Sequence, residues 1–224
     1  MRALAFAVSL VVASAAAAAP PALGVLKFQD ETGALPFQGG AGRVMTNMLT
    51  NELAARGAFV VVERQKLRAV LEEQDLAESG RITPGQGAMI GKLIGADFLV
   101  TGTVTAFEEE VEEHYRGGML SRGRIERESK GGYLAVDLRI IDTTTAQIAL
   151  VRTVEGRTEG GTRTSAPNNY GLDDGPDARA VRAAVIEIVD YLECELVKRD
   201  ACRTTFAEKE RRRVETTRRA AKVD

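Results

Sequence analysis

The 224-residue chain has no tryptophan, a single histidine (His114) and only two cysteines, Cys194 and Cys202. A His-based metal site or a His-driven acid–base pair can draw only on His114. Cys-x-x-Cys spacing is absent, which removes thioredoxin-type redox chemistry. Charge of one sign is not in excess either. Lys and Arg number 30 against 32 Asp and Glu, a net charge of -2, so no global basic field gathers nucleic acid. No apolar run reaches the roughly 20 residues of a membrane-spanning helix. What remains is 44% apolar and 28% charged, enough for a hydrophobic core and too apolar for wholesale disorder. The length predicts one domain with appendages.

Residues 1–19 read as an export signal: Met1-Arg2, an apolar run from Leu4 to Val12, then the alanine tract Ala15 to Ala19 before Pro20-Pro21. A lipoprotein would need a cysteine at the cut, and the first cysteine is Cys194. A periplasmic protein without a lipid anchor is therefore expected. The domain is assigned to residues 20–200 and a charged tail to 201–224.

Leu23 to Phe28 is a short apolar run that predicts the first strand. Gln29 to Gly42, with five of its residues Gly or Pro, predicts a loop. Val44, Met45, Met48, Leu49 and Leu53 form the stripe of a helix stopped by Gly57. Phe59 to Val62 predicts a strand, followed by a helix with Leu67, Val70, Leu71 and Leu76 on its apolar side. Thr83-Pro84-Gly85-Gln86 carries the signals of a helix start: a capping hydroxyl, proline at the first helical position and glutamine at the third. Ala96 to Phe107, Tyr133 to Asp142 and Ile148 to Val154 predict three more strands, the second with clean apolar alternation. Pro176 to about Arg199 predicts a final core helix. Early helices and late antiparallel strands predict an α+β layered domain, its mixed sheet largely antiparallel.

Four ordered segments carry a family resemblance. They are Phe28-Gln29-Asp30-Glu31-Thr32-Gly33, Val62-Glu63-Arg64-Gln65-Lys66-Leu67, Gly95-Ala96-Asp97 running into Gly102-Thr103, and Asp137 to Thr143. Together they resemble the CsgG family of curli secretion. The resemblance runs from about Leu23 to Leu196 and implies a non-enzymatic, exported α/β domain at the inner face of the outer membrane. In channel members it implies a ring of copies, each giving amphipathic hairpins to a β-barrel, with an aromatic and asparagine loop constricting the pore.

Several channel parts lack counterparts here. The loop counterpart is Leu35-Pro36-Phe37-Gln38, a candidate partner or constriction loop in which Phe37 stands where a pore aromatic would. A barrel strand needs about 9–11 residues with one continuously apolar face. From Thr103 to Tyr115, one face carries Phe107, Val111 and Tyr115 interrupted by Glu109 and Glu113; the other carries Glu108, Glu110, Glu112 and His114. The return segment from Arg122 to Lys130 alternates charges, and the second hairpin region, from Arg152 to Asp174, is polar and studded with glycine. The pattern predicts a soluble relative of the channel.

Other motifs resolve to blander readings. Gly39-Gly40-x-Gly42 before a helix suggests an anion cradle, but lacks the Gly-Lys-Ser/Thr ending of a nucleotide loop. The run of five glutamates from Glu108 to Glu113 predicts a solvated hairpin arm, not a glycosidase pair; the arm could zip to itself through the basic residues of Arg116 to Arg127 or equally present a charged surface to a partner. Cys194 and Cys202 would be roughly 12 Å apart in a continuous helix, so the disulfide expected in an oxidising compartment requires a chain reversal near Lys198 to Ala201. In the tail, Glu208–Arg212 and Glu215–Arg219 have helical pair spacing. This leaves two readings open there: contact with an anionic envelope surface or partner, or a frayed polar helix.

The sequence reading is a non-catalytic periplasmic CsgG-type protein acting through protein–protein contacts in envelope assembly or curli-type secretion. Its alternatives are an outer-membrane secretion channel subunit and a periplasmic activator of peptidoglycan synthases. No catalytic, metal or cofactor site is expected. Expected partners are envelope proteins or secreted chains, with no nucleic acid; self-association and peripheral membrane contact are left open.

Overall fold

The computed structural model describes residues 19–33, 40–79, 81, 95–116, 124–159 and 176–222. Almost all of the export signal, the loop Leu35 to Gln38, the helix expected after Thr83 and the Gly-rich segment after Glu159 lie outside them. The elements in chain order are β1 (Ala22–Val25), β2 (Gln29–Asp30), α1 (Ala41–Arg56), β3 (Val60–Val62), α2 (Leu67–Glu78), β4 (Phe98–Arg116), β5 (Arg124–Asp142) and β6 (Ile148–Glu159). They end with α3 (Pro176–Leu192) and α4 (Cys202–Ala221).

The six strands form one mixed sheet in the order β3-β1-β4-β5-β6, with the short β2 also on β4. β1 runs parallel to β3 and β4, whereas β4, β5 and β6 form an antiparallel meander. The expected α+β class holds. β1 lies between two neighbours and all four of its residues are buried, which explains its uninterrupted apolar run. The expected first strand ends sooner than its pattern suggests. After Val25 the chain bends, and Gln29-Asp30, expected in the loop, instead pairs with Thr103-Val104.

α1 and α3 cover one face of the sheet. The predicted stripe of α1, Met45, Leu49 and Leu53, and Val181, Ala184, Ile188 and Leu192 of α3 are buried with Val100, Val104, Leu134, Val136, Leu138 and Ile140 of β4 and β5. Removing such apolar surface from water contributes about 1.5–3 kcal/mol per large side chain. α3 approaches β6 closely because position 156 is glycine: a Cβ there would lie 2.0 Å from the Ala180 carbonyl oxygen. α1 stops at Gly57, in the left-handed region at φ 66°. Arg56 in its last turn reaches Glu52 at 3.1 Å and Asp190 of α3 at 2.6 Å, which raise its pKa further.

Two elements depart from expectation. α2 leaves Val70, Leu71 and Leu76 38–43% exposed while Gln74 is buried, so its apolar side is not core. The last core helix does not run to Arg199: it leaves α-geometry at Leu192 and passes through a π-helical turn, Glu193–Lys198. The chain then reverses at Arg199, in the left-handed region at φ 52°, and continues as α4.

Candidate functional site

The four segments that carry the family resemblance hold the fold together. Asp30, at the end of β2, accepts hydrogen bonds from the Thr32 hydroxyl at 2.7 Å, the Thr32 N–H at 3.0 Å and the Ala41 N–H at 2.7 Å. Burial pushes its pKa up, but the bonds from Thr32 and Ala41 outweigh this and hold it below the usual aspartate value. The first-turn amide that the Gly39-Gly40-x-Gly42 pattern offered to an outside anion is thus occupied by the protein's own carboxylate. Gly42 serves packing instead, since a Cβ there would sit 2.4 Å from the Phe28 carbonyl oxygen. The buried Thr46 completes the joint, its Oγ1 accepting the Phe28 N–H at 2.9 Å and donating to the Gly42 carbonyl at 2.7 Å.

The other three segments behave alike. A Glu63 oxygen accepts the Gln65 and Lys66 N–H groups and closes the turn into α2. Asp97 accepts the Ala22 N–H at 2.8 Å, tying β4 to β1, and Gly102 leaves room for the Phe28 ring. Asp142 Oδ1 accepts the Thr144 and Thr145 N–H groups, and the Thr143 hydroxyl donates to the Ala96 carbonyl at 2.7 Å. These residues are committed to capping and turn formation. Among the described residues there is no group of three or more His, Cys, Asp or Glu that could hold a metal ion.

Function is therefore sought on surfaces. The first is the ribbon made by β4 and β5. β6 ends where Glu159 pairs with Gly131, but β4 and β5 stay paired to Arg116 opposite Arg124. Among the described residues, this makes the expected hairpin arm a two-stranded extension of the sheet. A register shift falls between Glu110 and Val111, where Lys130 is the extra residue of β5. The register sets both opposite and like charges across the two strands. Glu113 stands opposite Arg127 and His114 opposite Glu126, while Glu112 stands opposite Glu128 and Arg116 opposite Arg124.

The second surface is the elbow between α3 and α4. Cys194 and Cys202 are joined there, their Cα atoms 5.9 Å apart across the reversal. Beside them the Arg152 guanidinium of β6 sits 5.1 Å from the ring centres of both Tyr191 and Phe206. It donates to the Phe206 carbonyl at 3.0 Å and approaches Glu187 at 3.5 Å. The two rings meet edge to face at 5.3 Å, and burial raises the Tyr191 pKa. Lys209 closes the joint onto Glu187 at 2.6 Å. Buried Glu193 is matched by Lys198 at 2.9 Å and Arg56 at 3.7 Å. Sequence reasoning missed Arg152 and Phe206, which are far apart in the chain and belong to no periodic pattern.

A third feature is an open polar cleft of about 550 Å³ beside α1 and the end of β3, lined by Arg43, Asn47, Asn51, Glu63, Gln65 and Lys66. Its α1 residues recur at i, i+4 and i+8, a polar stripe legible in the sequence but passed over for the apolar one opposite.

The CsgG family profile, described as curli production assembly/transport component CsgG, matches residues 4–221, a wider span than the four segments cover. Among curated proteins none matches significantly. Similar solved structures include the hypothetical protein CT253 from Chlamydia trachomatis, 13% identical at a TM-score of 0.49, covering 80% of this chain and 99% of that one. The PelC dodecamer from Paraburkholderia phytofirmans is 17% identical at a TM-score of 0.38, covering 79% and 92%. The LpoB C-terminal domain from Salmonella enterica is 17% identical at a TM-score of 0.31, covering 63% and 84%.

Proposed function

The chain belongs to the CsgG family, and from that membership we propose that it is a non-catalytic periplasmic protein acting through protein–protein contacts in envelope assembly or curli-type secretion. The observation that carries this reading is the β4–β5 ribbon. It extends beyond β6 to Arg116 and Arg124, in the segment where channel relatives place a lipid-facing hairpin. Its sequence puts glutamate on both faces: Glu109 and Glu113 alternate with Glu108, Glu110 and Glu112. Such a ribbon is suited to water and to a polar protein partner.

Among the described residues the ribbon beyond β6 is paired on two strands only, which leaves outward backbone groups on both edges that a partner strand can satisfy. The loop Leu35-Pro36-Phe37-Gln38 is the second proposed contact element, on the strength of the family pattern. The length of β4 and β5, 19 residues each, favours one competing reading, the secretion channel, since it exceeds what a barrel strand needs.

Photo-crosslinking from positions 112 and 126 in intact cells, combined with fractionation, tests the proposal. Discrete protein adducts and recovery in the soluble periplasm, or release from membranes by salt alone, are expected. Extraction only by detergent, with lipid the sole adduct, overturns it.

A further inference from the structure

The outer half of α4 buries nothing, yet its base is fixed in three ways. The Cys194–Cys202 bond, the Tyr191–Arg152–Phe206 stack and the Lys209–Glu187 pair all hold the first turns. Arg213, paired with Glu210 at 2.6 Å, still feels Glu155 and Asp137 of the sheet. From Val214 to Lys222 every residue is exposed. The tail, for which helical pair spacing was noted, is thus a helix of 20 residues, about 30 Å long, projected from a stapled elbow.

Charge is segregated on it. Between Cys202 and Lys222 stand eight basic and three acidic residues, in a chain whose net charge is -2. At 100° per residue, Cys202, Phe206, Glu210 and Arg213 form the stripe that faces the body. Arg211, Arg212, Arg218, Arg219 and Lys222 fall within an arc of about 120° on the opposite side. Glu208 and Glu215 share that arc and engage Arg211 and Arg219. Arg212, Arg218 and Lys222 have no ion pair among the described residues. Favourable interaction with the helix C-terminus accounts for cations in the last turn, but not for Arg211 and Arg212 two turns earlier.

We propose that this outward face of α4 is a docking surface for an anionic phospholipid membrane. Among the described residues no other element lines this face, so an acidic peptide would meet it on one side only. A planar array of headgroup phosphates can bring several charges to it at once. Beyond Phe206 the only apolar side chains larger than alanine are Val214 and Val223, so the contact is electrostatic and peripheral, without insertion. The elbow aims the basic face away from the body, and so holds the domain and its ribbon off the membrane. The choice of a membrane as the source of phosphate rests on the envelope reading above.

Vesicle flotation with the purified full-length mature protein tests this directly. Vesicles containing about one third phosphatidylglycerol should carry the protein at low salt, pure phosphatidylcholine vesicles should not, and about 0.5 M salt should release it. Replacing Arg211, Arg212, Arg218 and Arg219 by Gln should reduce bound protein more than about tenfold. Removing the same number of exposed cations elsewhere (Lys27, Lys66, Arg81 and Arg139 to Gln) should leave flotation unchanged. Should the first variant lose helicity by circular dichroism, a chain ending at Arg213 takes its place, since the residues it lacks bury nothing. Absence of flotation with anionic vesicles, equal loss in both quadruple variants, or binding only to soluble acidic protein overturns the proposal. Flotation requires no cellular partner, so it can fail while the ribbon crosslinks as expected, and the reverse.

Discussion

Asp30 accepts the Ala41 N–H at 2.7 Å, so the carboxylate that closes β2 also caps α1 from the far side of the intervening loop. No side chain at the helix's own N-cap position can do this, because that position is Gly40, at φ 85°. Replacing Asp30 by Asn or Ala should cost about 1–2 kcal/mol in urea unfolding at pH 7. The pH dependence has a definite sign. Hydrogen bonds hold the Asp30 pKa below its ordinary value. Its contribution is therefore complete above the unfolded aspartate value of about 3.9 and declines as the pH falls through the lower folded one. The gap between wild type and D30N should be constant from about pH 5 upward and shrink below about pH 3.9. A gap that persists unchanged at low pH would show that the charge is irrelevant.

Glycine is required at position 42 by a backbone contact. A Cβ there meets the Phe28 carbonyl oxygen at 2.4 Å, and neither α1 nor the chain leading into β2 can yield without breaking the Thr46 joint. G42A should lose more than about 3 kcal/mol or fail to accumulate. G95A is the control, because nothing lies within 4 Å of the added methyl. Its stability should change by less than about 1 kcal/mol. Similar melting temperatures for the two variants would refute the packing account.

The cysteine pair spans a short loop, for which chain-entropy reasoning gives about 2.5 kcal/mol of stabilisation. Purified protein should show no free thiol when denatured without reductant, and C194A/C202A should unfold at lower urea by about that amount. Hydrogen exchange should accelerate first in α4, whose remaining anchors are Phe206 and the ion pairs of Arg203 and Lys209. Stoichiometric thiol labelling of unreduced protein would end the idea.

Planar-bilayer recording of the mature protein should show no stable unitary conductance. Each face of the ribbon carries glutamate, and sliding the register by one residue exchanges one charged face for the other. A charge facing lipid is unfavourable even for Glu, and a ring would repeat that cost in every copy. Reproducible channels of uniform size, lost on deletion of residues 107–131, would restore the pore reading.

Much of the layered fold was legible because its signals are local. The stripe from Val44 to Leu53 and the alternation from Leu134 to Ile140 each report one buried face, and the structure buries those residues. α2 shows the limit of such patterns. Val70, Leu71 and Leu76 have the right period, yet remain more than a third exposed, because period says which residues share a face and not what covers it. The family segments were equally legible, but their likeness marks caps and close backbone approaches. Asp30, Gly42, Asp97 and Gly102 keep strands and helices in place, and a motif that does so says little about what the surface binds.

The amino-acid sequence alone determined most of the element types, the family resemblance, the glutamate run on alternate faces of one strand and the surplus of cations in the last residues. These follow from composition and from repeats of two or 3.6 residues, which need no knowledge of distant contacts. Tertiary structure alone decided the cross-strand register of the ribbon, which sets Glu113 against Arg127 and Glu112 against Glu128. It alone brought Arg152 between Tyr191 and Phe206 and turned a charged tail into an aimed helix. The physical reason is separation along the chain. Arg152 and Phe206 touch across 54 residues. The turn at Arg199, in the left-handed region at φ 52°, brings them together.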